Sequence, residues 1–132
     1  MPCVFCTEPW KTGEILVETR AATVILHDDW AVRGHTMIVA KRHVENLSDL
    51  GDGDATDLLH VVRAVETLLL EETGTDRAII LKLGIQTPHL HLHIYPVSSD
   101  LDRSAVMAII GAKVHVPKDE QFVRLLKDKL SE

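Results

Sequence analysis

The chain has 132 residues, 45% of them hydrophobic and 4% aromatic, with a formal charge of −6. That length suits one domain over 1–132 that buries its own core without staples. The acidic balance and few aromatics exclude a general binder of nucleic acid polymers, which needs Lys and Arg on phosphates and aromatic stacking platforms. No apolar run approaches the roughly 20 residues that cross a bilayer.

The opening residues Met1-Pro2-Cys3-Val4-Phe5-Cys6 lack the basic segment and apolar run of a signal peptide, so a cytoplasmic protein with reduced cysteines is expected. Cys3-x-x-Cys6 is then commoner as half of a zinc site than as a disulfide, and two more ligands are needed. Two plain reduced cysteines in a turn are the alternative. Glu14 to Glu18 and Ala22 to Leu26 read as a hairpin rich in β-branched residues. His27-Asp28-Asp29-Trp30 follows as a charged turn, where one carboxylate could accept hydrogen bonds from a sugar diol; Asp29 reads as solvated. Gly34 to Ala40 is a strand apolar on both faces and therefore central, with His35 at its start and Lys41-Arg42-His43 after it.

A polar run with Gly51 and Gly53 leads to a helix over Ala55 to Thr73, capped at its start by Asp52 or Asp54 and ended by Gly74. Leu58, Val61, Val62, Val65, Leu68 and Leu69 recur on it at helical spacing, so it covers one face of a sheet. His60 on this helix is given no role. Ala78 to Leu83 forms another strand. In the link Gly84-Ile85-Gln86-Thr87-Pro88, the glycine allows close backbone approach to a ligand, and Gln86 and Thr87 are neutral donors suited to phosphate oxygens.

His89-Leu90-His91-Leu92-His93-Ile94-Tyr95 carries the chemistry. Strict alternation is the period of a strand, with the imidazoles on one face and the aliphatics on the other. Beyond it, Ser104 to Ile110 and Glu120 to Leu130 read as helices; His115, between them, is assigned no role. Three chemistries suit the triplet: a histidine nucleophile with helpers, a metal site from a His-x-His pair, or a pH-sensitive binding face. As a nucleophile, the middle ring His91 is the natural candidate, with His93 and Gln86-Thr87 as donors to phosphate oxygens and His89 or His35 in support. For a hydrolytic metal, His35 or Asp28 is the candidate third ligand.

His89-Leu90-His91-Leu92-His93-Ile94 resembles the His-φ-His-φ-His-φ signature of the histidine triad (HIT) superfamily. Cys3-x-x-Cys6, His27-Asp28, Gly34-His35-Thr36, Lys41-Arg42-His43 and the long helix stand in matching order. The segment Lys82 to Pro88 is closest to the short form in bacterial proteins resembling diadenosine tetraphosphate hydrolases. The resemblance implies an α+β fold: a five-stranded antiparallel sheet with one long helix and a C-terminal helix, commonly a homodimer. It also implies hydrolysis or transfer at the α-phosphate of a nucleotide, with no organic cofactor. By similarity His91 is the nucleophile that becomes nucleotidylated, and His93 contacts phosphate and assists the leaving group. His89 and His35 are supporting histidines, and Asp28 binds ribose hydroxyls. Cys3, Cys6, His43 and His89 match the ligands of a structural zinc found in some members and in related galactose-1-phosphate uridylyltransferases. A nucleotide-binding sensor or scaffold with little turnover, and a zinc-dependent metallohydrolase, remain open alternatives.

Overall fold

A computed structural model describes residues 3–131. Five strands form one antiparallel sheet in the order β1-β2-β3-β5-β4. They are β1 (Gly13–Glu18), β2 (Ala22–His27), β3 (Thr36–Ala40), β4 (Arg77–Leu81) and β5 (His91–Val97). The helices are α1 (Val4–Thr7), α2 (Asp52–Thr73), α3 (Arg103–Ile110) and α4 (Glu120–Leu130), and a 3₁₀ turn covers Pro9–Thr12. The expected α+β class, five-stranded sheet, long helix and C-terminal helix are all present.

β3 is central and buried along its whole length, as its two apolar faces require. Register across the sheet aligns Ile25 with Met37, Met37 with His93 and His93 with Leu81, so these four share a face. The opposite face presents Val24, Ile38, Leu92 and Ile94, which pack with Leu58, Val65 and Leu69 of α2 and with Phe122, Val123 and Leu126 of α4. That is the main core, and the aliphatic half of the His-Leu alternation belongs to it.

The histidine face has two smaller covers. Phe5 of α1 packs over Ile25, Met37 and Val39, while Ile109 of α3 packs with Ala31, Tyr95 and Val97. Between them the sheet stays open, and the remaining imidazoles lie in that gap.

Several boundaries differ from the sequence reading. α2 starts at Asp52 with Gly51 as its cap residue, so Asp52 and Asp54 lie inside the first turn. There they favour the positive end of the helix, and Asp54 also meets Arg42 at 3.1 Å. Gly74 ends the helix with φ +67°, as expected. β4 stops at Leu81, two residues early, which frees Lys82 and Leu83 for the loop beside the site. β5 starts at His91 and runs through Pro96; the ladder to β3 has ended at Ile94, so proline's missing donor is not needed on that side.

Candidate functional site

His91 is 9% exposed. Its Nδ1–H donates to the backbone carbonyl of His89 at 2.6 Å. A carbonyl only accepts, so Nδ1 carries a proton, and in the neutral ring the lone pair is then on Nε2. His91 and His93 both line an open cavity of about 710 Å³, within the usual range for small-molecule sites, about 300–1,000 Å³.

The neighbouring rings are fixed by the same logic. The Ala31 N–H donates to His35 Nδ1 at 3.3 Å, so His35 carries its proton on Nε2 and donates it to His93 Nδ1 at 2.9 Å. His93 must then bear its own proton on Nε2. The Asp29 N–H donates to His27 Nδ1 at 2.9 Å, leaving His27 Nε2 protonated as well. The result is one bare nitrogen at His91 beside N–H groups at His93 and His27.

His35 is sandwiched between His27, stacked at 4.4 Å with planes 4° apart, and Tyr95 at 4.2 Å. Burial pushes His35 down to about 2, aided by repulsion from His27 and His93. Burial likewise pushes His93 down to about 4, with His91 and His27 adding to it. His27 is also lowered, chiefly by burial. These three rings are neutral near pH 7.

Asp28, Gly84, Gln86 and Thr87, expected to hold substrate, all line the cavity. Gly84 takes φ +64°, the left-handed turn that glycine permits. Asp28 meets Lys118 Nζ at 3.4 Å. Val4, Phe5 and Met37 form an apolar wall, and the Phe5 ring lies 4.9 Å from that of His91.

His89 departs from the expected row and does not border the cavity. It is 1% exposed, and its Nε2–H donates to the Ala40 carbonyl at 2.7 Å. Its Nδ1 faces Cys3 Sγ at 3.2 Å, Cys6 Sγ at 3.5 Å and His43 Nδ1 at 3.1 Å. What reaches the site from His89 is its carbonyl, holding His91.

Cys3, Cys6, His43 and His89 place their donor atoms within 4.8 Å of one another. A tetrahedral ion at about 2.3 Å from sulfur and about 2.05 Å from nitrogen spaces its donors about 3.3–3.8 Å apart. The contacts of His89 with Cys3, Cys6 and His43 and of Cys6 with His43, 3.1–3.5 Å, lie within a few tenths of an ångström of that spacing, and two thiols with two imidazoles are a zinc-type donor set. His27, His35 and His93 are the other donor group within such reach among the described residues. Ring nitrogens bind metal along in-plane lone pairs, and the nearly parallel planes of His27 and His35 do not converge on one ion. Neither group contains His91.

Two residues with no assigned role belong to the site. His27 lies on the histidine face, two positions after Ile25, and period-two counting along β2 could have placed it there. His115 donates through Nδ1–H to the Asp29 carboxylate at 2.8 Å. That contact spans 86 residues and has no local sequence signal; with it Asp29, read as solvated, acquires a partner.

A family model for the HIT domain matches residues 9–100. The chain is 32% identical over 68 residues to the nitrilase and fragile histidine triad fusion protein NitFhit of Caenorhabditis elegans, covering 48% of this chain and 16% of that protein. It is 25% identical over 89 residues to the asymmetrical bis(5′-nucleosyl)-tetraphosphatase of Schizosaccharomyces pombe, covering 64% of this chain and 49% of that one. The chain thus spans half or less of the length of these curated relatives. A histidine triad protein from Sinorhizobium meliloti 1021 shares the fold, with TM-score 0.76 and 19% identity over 92% of this chain and 89% of that one. Among the described residues no helix is long and apolar enough to cross a membrane.

Proposed function

The chain belongs to the HIT domain family, and from that premise we propose that it cleaves nucleotidyl compounds at the α-phosphate through a nucleotidyl-histidine intermediate on His91. Its substrates are dinucleoside polyphosphates or nucleoside phosphoramidates. The observation that carries this is the 2.6 Å bond from His91 Nδ1–H to the His89 carbonyl, which in the neutral ring puts the lone pair on Nε2, with His91 on the wall of the cavity. A neutral imidazole pinned this way is an effective nucleophile toward phosphorus.

The N–H groups of His93 and His27 stabilise the equatorial oxygens, with Gln86, Thr87 and the backbone at Gly84. An anionic phosphate beside His93 favours the charged imidazolium, whose second proton takes Nδ1 and displaces the His35 N–H from it; the imidazolium then gives its Nε2 proton to the departing group. In the second half, neutral His93 takes a proton from the attacking water, and His91 leaves phosphorus with its lone pair restored. His35 holds the neutral His93 ring through its N–H to Nδ1 before substrate enters. Asp28 receives the ribose hydroxyls, and the base lies on the apolar wall of Val4, Phe5 and Met37.

Zinc would be held by Cys3, Cys6, His43 and His89, supplying a structural cross-link between the N-terminal segment and the entry to β5. The edge strand β4, with Ile80 45% exposed, presents unpaired backbone groups suited to pairing with a second copy in a homodimer.

The test is single-turnover labelling. The parent, mixed with a nucleoside phosphoramidate or dinucleoside polyphosphate carrying a labelled α-phosphate and quenched, should retain acid-labile label that His91→Ala does not. Equal turnover by both proteins, or tight nucleotide binding with no covalent label in the parent, would refute the reading.

A further inference from the structure

We propose that Cys3 and Cys6 form a reversible dithiol–disulfide switch, oxidised by hydroperoxides, that loosens the nucleotide pocket through the two residues between them; this rests on that pocket binding a nucleotide, whichever ring is the nucleophile. The cysteines bracket Val4 and Phe5, and both of those residues line the cavity of about 710 Å³. One short segment thus carries the thiols and part of the pocket wall.

The sulfurs fasten this segment to the sheet. Cys3 Sγ lies 3.2 Å from His89 Nδ1, while Cys6 Sγ lies 3.2 Å from His43 Nδ1 and 3.5 Å from His89 Nδ1. His89 gives its Nε2 proton to the Ala40 carbonyl, so in the neutral ring Nδ1 is bare and accepts a thiol S–H. The backbone bonds of the segment stay local: the Cys6 and Thr7 N–H groups donate to the Cys3 carbonyl, and the Glu8 N–H donates to the Val4 carbonyl. Among the described residues, the hydrogen bonds joining 3–8 to the chain beyond residue 12 all use the two sulfurs. Phe5 adds an apolar hold over Ile25, Met37 and Val39, with its ring 4.9 Å from that of His91.

The same pair can close on itself. Cys6 is exposed, Cys3 is partly so, and neither is in a disulfide. Their sulfurs lie within 4.8 Å of each other, on a turn closed by the 3.1 Å bond from Cys6 N–H to the Cys3 carbonyl. Side-chain rotation on that turn brings them toward the S–S length of about 2.05 Å without unfolding the domain. A disulfide sulfur has no proton to donate and is not the thiolate that ligates metal, so closure cuts the contacts to His43 and His89 together. Closure and zinc binding exclude each other, because both need the same two sulfurs.

The step balances. The Cys6 thiolate attacks one oxygen of hydrogen peroxide, the O–O bond breaks, and hydroxide leaves a cysteine sulfenic acid behind. The Cys3 thiolate then attacks that sulfur, forming the S–S bond as the S–O bond breaks and a second hydroxide departs. The hydroxides take up the two thiol protons. Two thiols and one peroxide therefore give one disulfide and two waters, with sulfur oxidised and peroxide oxygen reduced.

The test uses the full chain, reduced and then treated with hydrogen peroxide at about pH 9, because burial and the adjacent Cys3 push the Cys6 thiol up and the thiolate is the reacting form. Affinity is read by calorimetry with the tightest-binding of adenosine, guanosine, cytidine and uridine 5′-monophosphate. Intact mass should fall by about 2 Da, with Cys3 and Cys6 joined in the peptide map, and the Kd should rise at least about fivefold, the low end of coupling between two sites. Dithiothreitol should reverse both changes; methionine sulfoxide instead adds mass and stays. Cys3→Ser and Cys6→Ser cannot close the ring, so peroxide should leave the affinity of each where it was, and should one fail to fold the other still reads the effect. A reduced chain that binds nucleotide but forms no disulfide, a disulfide form that binds as tightly, or a peroxide effect that persists in the serine variants overturns the switch and leaves the pocket reading standing. A reduced chain that binds none of these nucleotides overturns both.

Discussion

Lowering the pH from 7 to 5 should weaken the fold through two particular rings, His35 and His93. His35 is 4% exposed and held down to about 2, and His93 to about 4, both chiefly by burial. Both values lie below the ordinary imidazole value of about 6.5, so their contribution to stability is complete above that pH. It is lost as the pH falls toward about 4 for His93 and about 2 for His35, because the unfolded chain takes up protons that the folded chain refuses. At pH 5 an unfolded imidazole is almost fully charged, which disfavours folding by about 2 kcal/mol per ring, or about 4 kcal/mol for the pair as an order of magnitude. With a urea slope of about 1–3 kcal/mol/M, the midpoint should fall by at least about 1 M. Carboxylates titrate over the same range, so the comparison is the double variant His35→Gln with His93→Asn, uncharged at both pH values. The parent should lose about 4 kcal/mol more than the variant between pH 7 and pH 5. Equal losses would show that these rings are not held neutral by their burial.

Other perturbations separate the remaining parts of the argument. Changing Cys3 and Cys6 together to Ser removes two of four donors, so zinc retained after dialysis should fall from about one per chain to a small fraction; elemental analysis showing full retention would discount the four-residue site. Leu126, wholly buried in the main core, should cost about 2–5 kcal/mol in urea unfolding when changed to Ala, and a loss below about 1 kcal/mol would mean that α4 is not packed there. Gly34 sits at φ +85°, and a Cβ on it would stand 3.3 Å from both Leu69 and Phe122. Gly34→Ala should therefore destabilise by about 1–3 kcal/mol, and an unchanged melting temperature would argue against this turn before His35.

What could be read in the sequence follows the length scale of each signal. The alternation over His91-Leu92-His93-Ile94 is a local period, and it places both imidazoles and both aliphatics correctly. Helices α2 and α4 carry their own apolar stripes and stop signals, Gly74 among them, so their extents are close to expectation. His89 is where periodicity fails. Its N–H donates to Thr87 O, and Leu90 N–H donates to Val44 O, so local turns and the 40–44 connection govern the backbone there instead of the sheet. His27 lacked a partner in any local reading, since its stack on His35 needs the β2–β3 register. His115 has no period to place it, because the segment 115–118 is held by contacts to residues 28–30, more than eighty positions earlier.

The proton arrangement has a common origin that explains why neutral groups hold the site. One carbonyl, that of His89, and two amides, those of Asp29 and Ala31, fix the tautomers of His91, His27 and His35, and His35 passes the constraint to His93. Had a carboxylate held His91 Nδ1–H, its charge would have favoured the imidazolium and raised the ring's affinity for a second proton at Nε2. That proton would occupy the lone pair required for attack on phosphorus. A carbonyl gives the same orientation without adding a formal charge, and the Cys-His cluster that anchors the His89 ring lies on the other side of that residue from the reacting nitrogen. Orientation and basicity are therefore set by different groups: the backbone of His89 aims the ring, and the neutral rings around it leave its lone pair free.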